Sequence, residues 1–183
     1  MAQTDNVNHP AHYNSRTDGI ECIDIIRHYT FDIGCAVKYL WRAGLKGEQG
    51  RSDREKRLED LHKAIWYVND YRINGTKPRV LTPNIDAQFT RMTGHNIRGV
   101  CNCYPGYLGN AIACLLCVGL IADGETCAGI RWRELLDLAT EDIEKHIREI
   151  EAEEEETKER YVKDELLIKG SDPVIGTENG LRL

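Results

Sequence analysis

The sequence predicts an all-α fold, a helical bundle that ends in a long charged helix. Apolar residues recur at helical spacing in several segments, and two capping boxes, Asp18 with Glu21 and Ser52 with Glu55, stand directly before such segments. The longest uncharged stretch, 99–122, contains an apolar part, 111–122, that has the length of a buried core helix and is too short to cross a bilayer.

The first two helices are expected to carry polar side chains on their outer faces. The first is predicted from Asp18 to about Thr30, with Glu21 and Asp24 as neighbours on an exposed ridge. The second is predicted over 33–43 and stops at Gly44, a residue type that commonly follows a helix end. Its apolar face is opposite to Lys38 and Arg42, which are one turn apart with Tyr39 beside them.

A third helix is predicted from Ser52 to about Ile73. Its apolar stripe is expected to consist of Leu58, Leu61, Ile65 and Val68, and its far side of Asp60, Lys63 and Tyr67. We divide the chain into a first helical unit (1–75), a linker rich in turn-forming residues (76–98), a second helical unit (99–169) and a flexible tail (170–183). The last helix, about 131–169, contains the acidic run 151–156, which is expected to project into water.

The second unit contains a segment that aligns with the first. Residues 34–45 match 109–120 without gaps, at an offset of 75, which predicts two degenerate helix-turn-helix repeats. Chance similarity between two amphipathic helices is the alternative. The apolar positions are kept, whereas Lys38, Tyr39 and Arg42 are replaced by Ala113, Cys114 and Cys117. The difference favours a site in the first unit.

Composition excludes several classes of function. The net charge of −6 argues against an extended surface for duplex nucleic acid. The first residues lack the pattern of a secretion signal, and seven cysteines are an odd number, so we expect reduced thiols in a cytoplasmic protein without a membrane segment. No P-loop or GxGxxG motif occurs, so any phosphoryl transfer would need another architecture.

The candidate site residues have both functional and ordinary interpretations. Lys38, Arg42 and Lys46 could hold phosphate oxygens or form a solvated helix face. His9 and His12 could act as general acids or bases, or belong to a polar arm.

Two groups of residues could bind a metal ion, and each also has an interpretation without a metal. Glu21 and Asp24 could bind Mg²⁺, with Glu134 and Asp137 as a second pair in the manner of all-α nucleotide pyrophosphatases, or they could line an exposed face. A zinc site is one interpretation of four cysteines, and small buried side chains are the other. These are Cys101, Cys103, Cys114 and Cys117.

Four segments together resemble a small phage protein family. They are Val7–Tyr13, Gly19–Asp24, Ala36–Lys46 and Leu58–Val68, and they follow the pattern HPxHY…IExID…KYLWRxGxK…EDLxKAxxYL. The family includes the nucleotide kinase of short-tailed coliphages, which lacks a P-loop and converts deoxynucleoside monophosphates to diphosphates. The resemblance covers about residues 7–73. It implies a nucleotide pocket lined by His9, His12, Tyr13, Glu21, Asp24, Lys38, Tyr39, Arg42, Lys46, Asp60 and Lys63.

We therefore expect a nucleotide-binding protein of phage type, most concretely a (deoxy)nucleoside monophosphate kinase. ATP or another nucleoside triphosphate would be the phosphoryl donor, with Mg²⁺ as a candidate ion. His9, His12, Lys38 and Arg42 are the expected catalytic residues, whereas Tyr13, Glu21, Asp24, Tyr39, Lys46, Asp60 and Lys63 are expected to bind substrate. A non-catalytic nucleotide-sequestering protein and an Mg²⁺-dependent pyrophosphatase are the alternatives. The expected partners are nucleotides and further copies of this chain.

Overall fold

Seven α-helices and one short β-hairpin make up the part of the chain that the structure describes, which confirms the all-α prediction. The structure, a computed structural model, describes residues 10–13, 16–75, 84–104, 106–121 and 126–169. The helices are α1 (Cys22–Ile26), α2 (Phe31–Arg42), α3 (Asp53–Asn74), α4 (Ile85–Thr93), α5 (Ile97–Cys101), α6 (Gly106–Val118) and α7 (Trp132–Lys169). Strands β1 (Thr126–Cys127) and β2 (Ile130–Arg131) pair antiparallel just before α7.

The first helix is shorter than predicted because its cap lies three residues later. Asp18 does not cap α1; its carboxylate accepts hydrogen bonds from the Arg16 side chain. The chain then passes through Gly19 at φ +77°, a left-handed conformation that glycine adopts without steric cost. The capping box is formed instead by Glu21 and Asp24. The predicted box of Ser52 and Glu55 at the start of α3 is confirmed.

Helix α2 lies at the centre of the core, where it packs against α1, α3 and α6. Five of its apolar side chains are fully buried, namely Ile33, Ala36, Val37, Leu40 and Trp41. The buried face of α3 includes the predicted Leu61 and Val68. It also includes Asp60 and Lys56, so the prediction that Asp60 faces away from the core is wrong: its carboxylate is held inside by cations from two helices.

Residues 84–101, largely within the predicted linker, are mostly helical. The side chains of Asn84 and Asn96 accept backbone hydrogen bonds at the starts of α4 and α5, so residues that resemble loop formers are helix caps here. Phe89 is fully buried and fixes α4 to the core. Residues 76–83 lie outside the described residues.

The offset of 75 relates much more of the structure than the aligned segments alone. It places α1 on α5 with the same bounds, the cap residue Glu21 on Asn96, and Phe31–Arg42 on residues 106–117, the first twelve residues of α6. It also places Gly34 on Gly109. A Cβ at Gly34 would lie 3.3 Å from the carbonyl oxygen of Ile26, and one at Gly109 would lie 2.9 Å from that of Cys101, the equivalent residue. The structure therefore agrees with the predicted repeat.

The chain divides into two compact units, residues 1–147 and 148–183, and α7 contributes to both. In the first unit, α7 contacts α3 through an ion pair from Arg72 to Asp137 at 2.8 Å and a hydrogen bond from Arg57 to His146 at 2.8 Å.

In the second unit, residues 151–165 of α7 are exposed except for the half-buried Glu154, so the acidic run has no core face, as predicted. The predicted tail, 170–183, lies outside the described residues. Across the described part of the chain, the structure contains no helix with the length and apolar character needed to cross a membrane.

Candidate functional site

Tyr13 connects the segments that carried the family pattern. Its backbone carbonyl accepts hydrogen bonds from the Cys22 N–H at 3.1 Å and from the Trp41 indole Nε1 at 3.2 Å. Its hydroxyl accepts one from Arg42 Nη1 at 2.9 Å. Residues 10–13, here called the N-terminal arm, are thus fixed to both α1 and α2 through Tyr13.

Arg42 is buried in an ion pair with Asp60. Its Nε and Nη2 atoms donate to the two carboxylate oxygens at 3.1 and 2.9 Å, and the side chains are 8% and 1% exposed. Lys56 Nζ lies 3.4 Å from the same carboxylate. Burial alone would lower the pKa of Arg42, but the hydrogen bonds to Asp60 and Tyr13 outweigh it and raise the pKa. Arg42 therefore joins α2 to α3 and holds Tyr13, a role different from the exposed phosphate clamp that we predicted.

His12 lies beside this ion pair and near Lys46. Its ring contacts the Tyr13 ring at 4.3 Å between centroids. Partial burial lowers the pKa of His12, the positive charges of Lys46 and Arg42 lower it further, and Asp60 opposes them. A neutral imidazole next to a lysine can accept a proton when a phosphate group arrives. His9, the other predicted catalytic histidine, lies outside the described residues.

A cavity of about 260 Å³ opens between the arm, α1 and α2. Three predicted site residues, Tyr13, Glu21 and Lys38, line it. The remaining lining residues are Pro10, Cys22, Ile23 and Ile26, so most of its wall is apolar. Burial raises the pKa of Cys22 to about 12, and the thiol therefore remains protonated and serves as part of the wall.

Tyr39 organises the cations of the first repeat. Arg42, Lys38 and Lys63 lie 4.6, 5.0 and 5.7 Å from the centre of its ring, distances typical of cation–π contacts. Tyr67 of α3 stacks on it, with 5.7 Å between centroids and 17° between planes. Lys63 also bonds to Glu59, and the hydrogen bonds from Lys63 and Lys56 hold the pKa of Glu59 at about 2. Tyr39, which was expected to bind substrate, thus positions the surrounding cations.

The carboxylates predicted to bind Mg²⁺ have structural partners. Asp24 accepts from the Glu21 N–H at 3.4 Å and pairs with Arg27 at 3.1 Å, and Glu21 is the cap of α1. The second predicted pair is also engaged, Glu134 with Arg131 and Asp137 with Arg72. All four carboxylates thus have partners within the protein as caps or in ion pairs.

Neither predicted metal site is supported by the geometry. Among the described residues, no group of three or more histidine, cysteine, aspartate or glutamate side chains is placed to hold a metal ion. The four cysteines considered for zinc are free thiols. Cys101 is buried, Cys103 is exposed, and Cys114 and Cys117 are half-buried.

Sequence reasoning missed three contributors to this region. Trp41 has the spacing of a core residue of α2, and its buried indole also donates to the Tyr13 carbonyl. Lys56 was overlooked, although its position one turn before Asp60 is the usual spacing of a helical ion pair. Tyr67 was placed on the far side of α3, where no sequence signal showed that it would meet Tyr39.

The arrangement is suited to binding an anion next to a small apolar surface. Lys38 offers a positive charge at the cavity, and His12, whose ring contacts Tyr13, is near enough to Lys46 for that charge to lower its pKa. Lysine binds phosphate as a point charge, and histidine donates to it when protonated. A molecule with a phosphate and a flat apolar part matches this pairing.

Comparison with known proteins finds a similarity to one family over the same region. Residues 7–69, about a third of the chain, match the model of a family described as protein of unknown function (DUF3310). No curated protein and no solved structure matches the chain. The matched segment includes the N-terminal arm and ends in α3. It therefore contains all the residues that line the cavity, together with Lys46 and the Arg42–Asp60 pair. The first repeat of this chain is thus similar to the DUF3310 family.

Proposed function

We propose that the first repeat is a nucleotide-binding site, and that its most specific form is a (deoxy)nucleoside monophosphate kinase of phage type that works without a P-loop. The observation that carries the proposal is the position of Tyr13. It lines the cavity with Lys38 and contacts His12, whose charge is influenced by Lys46. An apolar cavity and several phosphate-binding nitrogens are thus joined through one fixed side chain.

The proposed roles follow from these contacts. Lys38, Lys46 and His12 neutralise phosphate oxygens, whereas the cavity takes the flat part of the nucleotide. Glu21, which lines the cavity, is placed to accept a hydrogen bond from a base amine or a sugar hydroxyl. Arg42 and Asp60 act from the interior by fixing Tyr13 and joining α2 to α3.

In the kinase form, an oxygen of the bound monophosphate attacks the γ-phosphorus of ATP. A new P–O–P linkage gives the nucleoside diphosphate, and ADP leaves. Phosphoryl transfer of this kind depends on positioning and charge neutralisation, which the lysines and His12 would supply.

A non-catalytic nucleotide-binding protein is the second candidate, and one observation favours it. Arg42 was expected to hold phosphate oxygens, but its guanidinium binds Asp60 and Tyr13 in the interior. A site with fewer cations at the reacting phosphates is better suited to binding than to turnover.

One experiment separates the two forms. The protein is incubated with dGMP or dTMP and ATP, and the nucleotides are separated by chromatography. Formation of the diphosphate supports the kinase, and a bound but unchanged monophosphate supports the binder. Absence of both binding and turnover refutes the proposal.

Variants then test the site itself. Lys38→Ala should weaken monophosphate binding by about 10- to 150-fold, because one charge-assisted contact contributes about 1.5–3 kcal/mol. Lys158→Ala, on the exposed part of α7, is the matched control and should bind as the wild type does. Equal affinities in Lys38→Ala and the wild type would contradict the proposed location.

A further inference from the structure

The second repeat contains a larger cavity at the position equivalent to that of the first. Its volume is about 910 Å³, against about 260 Å³ in the first repeat. At the offset of 75, five of the seven residues that line the first cavity have counterparts that line the second. These counterparts are Ile85, Ile97, Arg98, Cys101 and Ala113. Each repeat thus contains a cavity at the same position, and the two cavities are lined by different residues.

The chemistry of the second cavity differs from that of the first in a defined way. The cation Lys38 is replaced by Ala113, and Arg42, which holds Tyr13 in the first repeat, is replaced by Cys117. Among the described lining residues, the charged side chains are Arg98 and Asp86, of opposite sign. The walls that remain are rich in neutral polar groups, among them Asn102 and Asn110, which are exposed and line the cavity.

These groups favour an uncharged ligand with hydrogen-bonding edges. An asparagine amide offers a donor and an acceptor side by side, which matches the edge of a heterocyclic base. Apolar side chains such as Ile97 and Ala113 supply surface for the face of a ring. The volume lies within the range of roughly 300–1,000 Å³ that is typical of small-molecule sites.

We propose that the second cavity binds a nucleoside, without the phosphate that the first repeat is proposed to hold. The proposal stands on residues of the second repeat, and it does not depend on the function proposed for the first.

Binding is tested by titrating the full-length protein with four probes: deoxyadenosine, deoxyguanosine, deoxycytidine and thymidine. Saturation-transfer NMR or calorimetry should detect at least one of them with a Kd below about 1 mM. Asn110→Leu and Asn102→Ala should each weaken this binding by about tenfold, because each removes an amide contact with the base edge. Both residues are exposed, so the variants are expected to fold.

A second variant separates the two sites. Lys38→Ala should keep nucleoside binding even where it loses monophosphate binding, whereas Asn110→Leu should show the reverse. If both variants bound the monophosphate as the wild type does, the site proposed in the first repeat would be refuted, and the proposal for the second cavity would stand. Failure of all four nucleosides to bind, or unchanged nucleoside binding in both asparagine variants, would overturn the present proposal.

Cysteine labelling gives an independent measure of location. Cys127 lines the second cavity, whereas Cys103 is exposed and is not among its lining residues. A bound nucleoside should slow alkylation of Cys127 severalfold and leave Cys103 unchanged, as read by mass spectrometry of the peptides. Equal rates at Cys127 with and without a nucleoside that binds would place the ligand elsewhere and overturn the assignment.

Discussion

Replacing Asp60 by alanine should destabilise the protein much more than a surface mutation, because it leaves buried cations without their anion. The Asp60 side chain is 1% exposed and accepts two hydrogen bonds from Arg42, while Lys56 Nζ lies 3.4 Å away. Removing one partner of a buried ion pair costs about 3–5 kcal/mol. The total stability of a domain is about 5–15 kcal/mol, so this loss is a large fraction of it.

A double replacement distinguishes the unpaired charge from the lost packing. Arg42→Met combined with Asp60→Leu removes both charges and keeps the volume, and such replacements are often close to neutral. Lys56 retains Glu59 at 3.2 Å and Glu48 at 3.5 Å as partners in this variant. We therefore expect the double variant to be more stable than Asp60→Ala by at least about 2 kcal/mol.

The assay is urea unfolding followed by tryptophan fluorescence, since Trp41 is fully buried next to this pair. Glu141→Ala is the matched control because it breaks an exposed pair with Lys145 at 2.8 Å, and it should cost less than about 1 kcal/mol. The reasoning is refuted if Asp60→Ala unfolds within about 1 kcal/mol of the wild type, or if the double variant is no more stable than the single one.

Three further predictions test other contacts. Lys63 and Lys56 hold the pKa of Glu59 at about 2, below its usual value of 4.5. The stability from this carboxylate is therefore present above about pH 4.5 and is lost as the pH falls towards 2. Glu59→Gln should make the unfolding free energy depend less on pH over this range than the exposed control Glu156→Gln does. Burial, Lys46 and Arg42 lower the pKa of His12, and a bound phosphate would raise it, so phosphate binding takes up a proton. The ratio of wild-type to His12→Gln affinity for dGMP, measured by calorimetry, should therefore increase as the pH falls from about 7.5 to 6. A constant ratio would show that His12 does not contact the phosphate. Gly109→Ala should lower the free energy of unfolding in urea by about 1–3 kcal/mol, because the added Cβ would lie 2.7 and 2.9 Å from two backbone oxygens. Gly34→Ala should lower it less, because its Cβ would lie 3.3 Å from one backbone oxygen. The opposite order would contradict the described packing.

The sequence was most informative where local rules determine the structure. Ser52 and Glu55 predicted the start of α3, and the apolar periodicity of α2 predicted its bounds within about two residues, because capping and amphipathic spacing are properties of a single segment. The same rules misplaced the start of α1. Asp18 has the spacing of a cap, but its carboxylate is engaged by Arg16, which also donates to the carbonyl of Val100 in the second repeat. The local spacing around Asp18 could not show that Arg16, which is held by a distant segment, would bind its carboxylate.

The candidate site was less predictable because its chemistry depends on which side chains are buried. Helical spacing placed Arg42 beside Lys38 and Asp60 beside Lys63, and all four looked like exposed polar residues. The packing of α2 on α3 turns two of them inward as an ion pair and leaves the two lysines partly exposed around Tyr39. The second cavity gave no sequence signal, since asparagines and cysteines at the ends of short helices do not form a recognisable motif.

The packing of α2 against α6 has a consequence for how the two sites can change. Each of these helices is the counterpart of the other, and Tyr29 ties the repeats together by donating to the Leu116 carbonyl at 3.0 Å. A protein with one repeat would have to cover the same apolar face with a second copy, and every substitution would then appear in both sites at once. Here the two halves form a pseudodimer within one polypeptide, so a lysine at position 38 and an alanine at position 113 can coexist. Covalent fusion thus allows one paired architecture to carry two cavities with different lining residues.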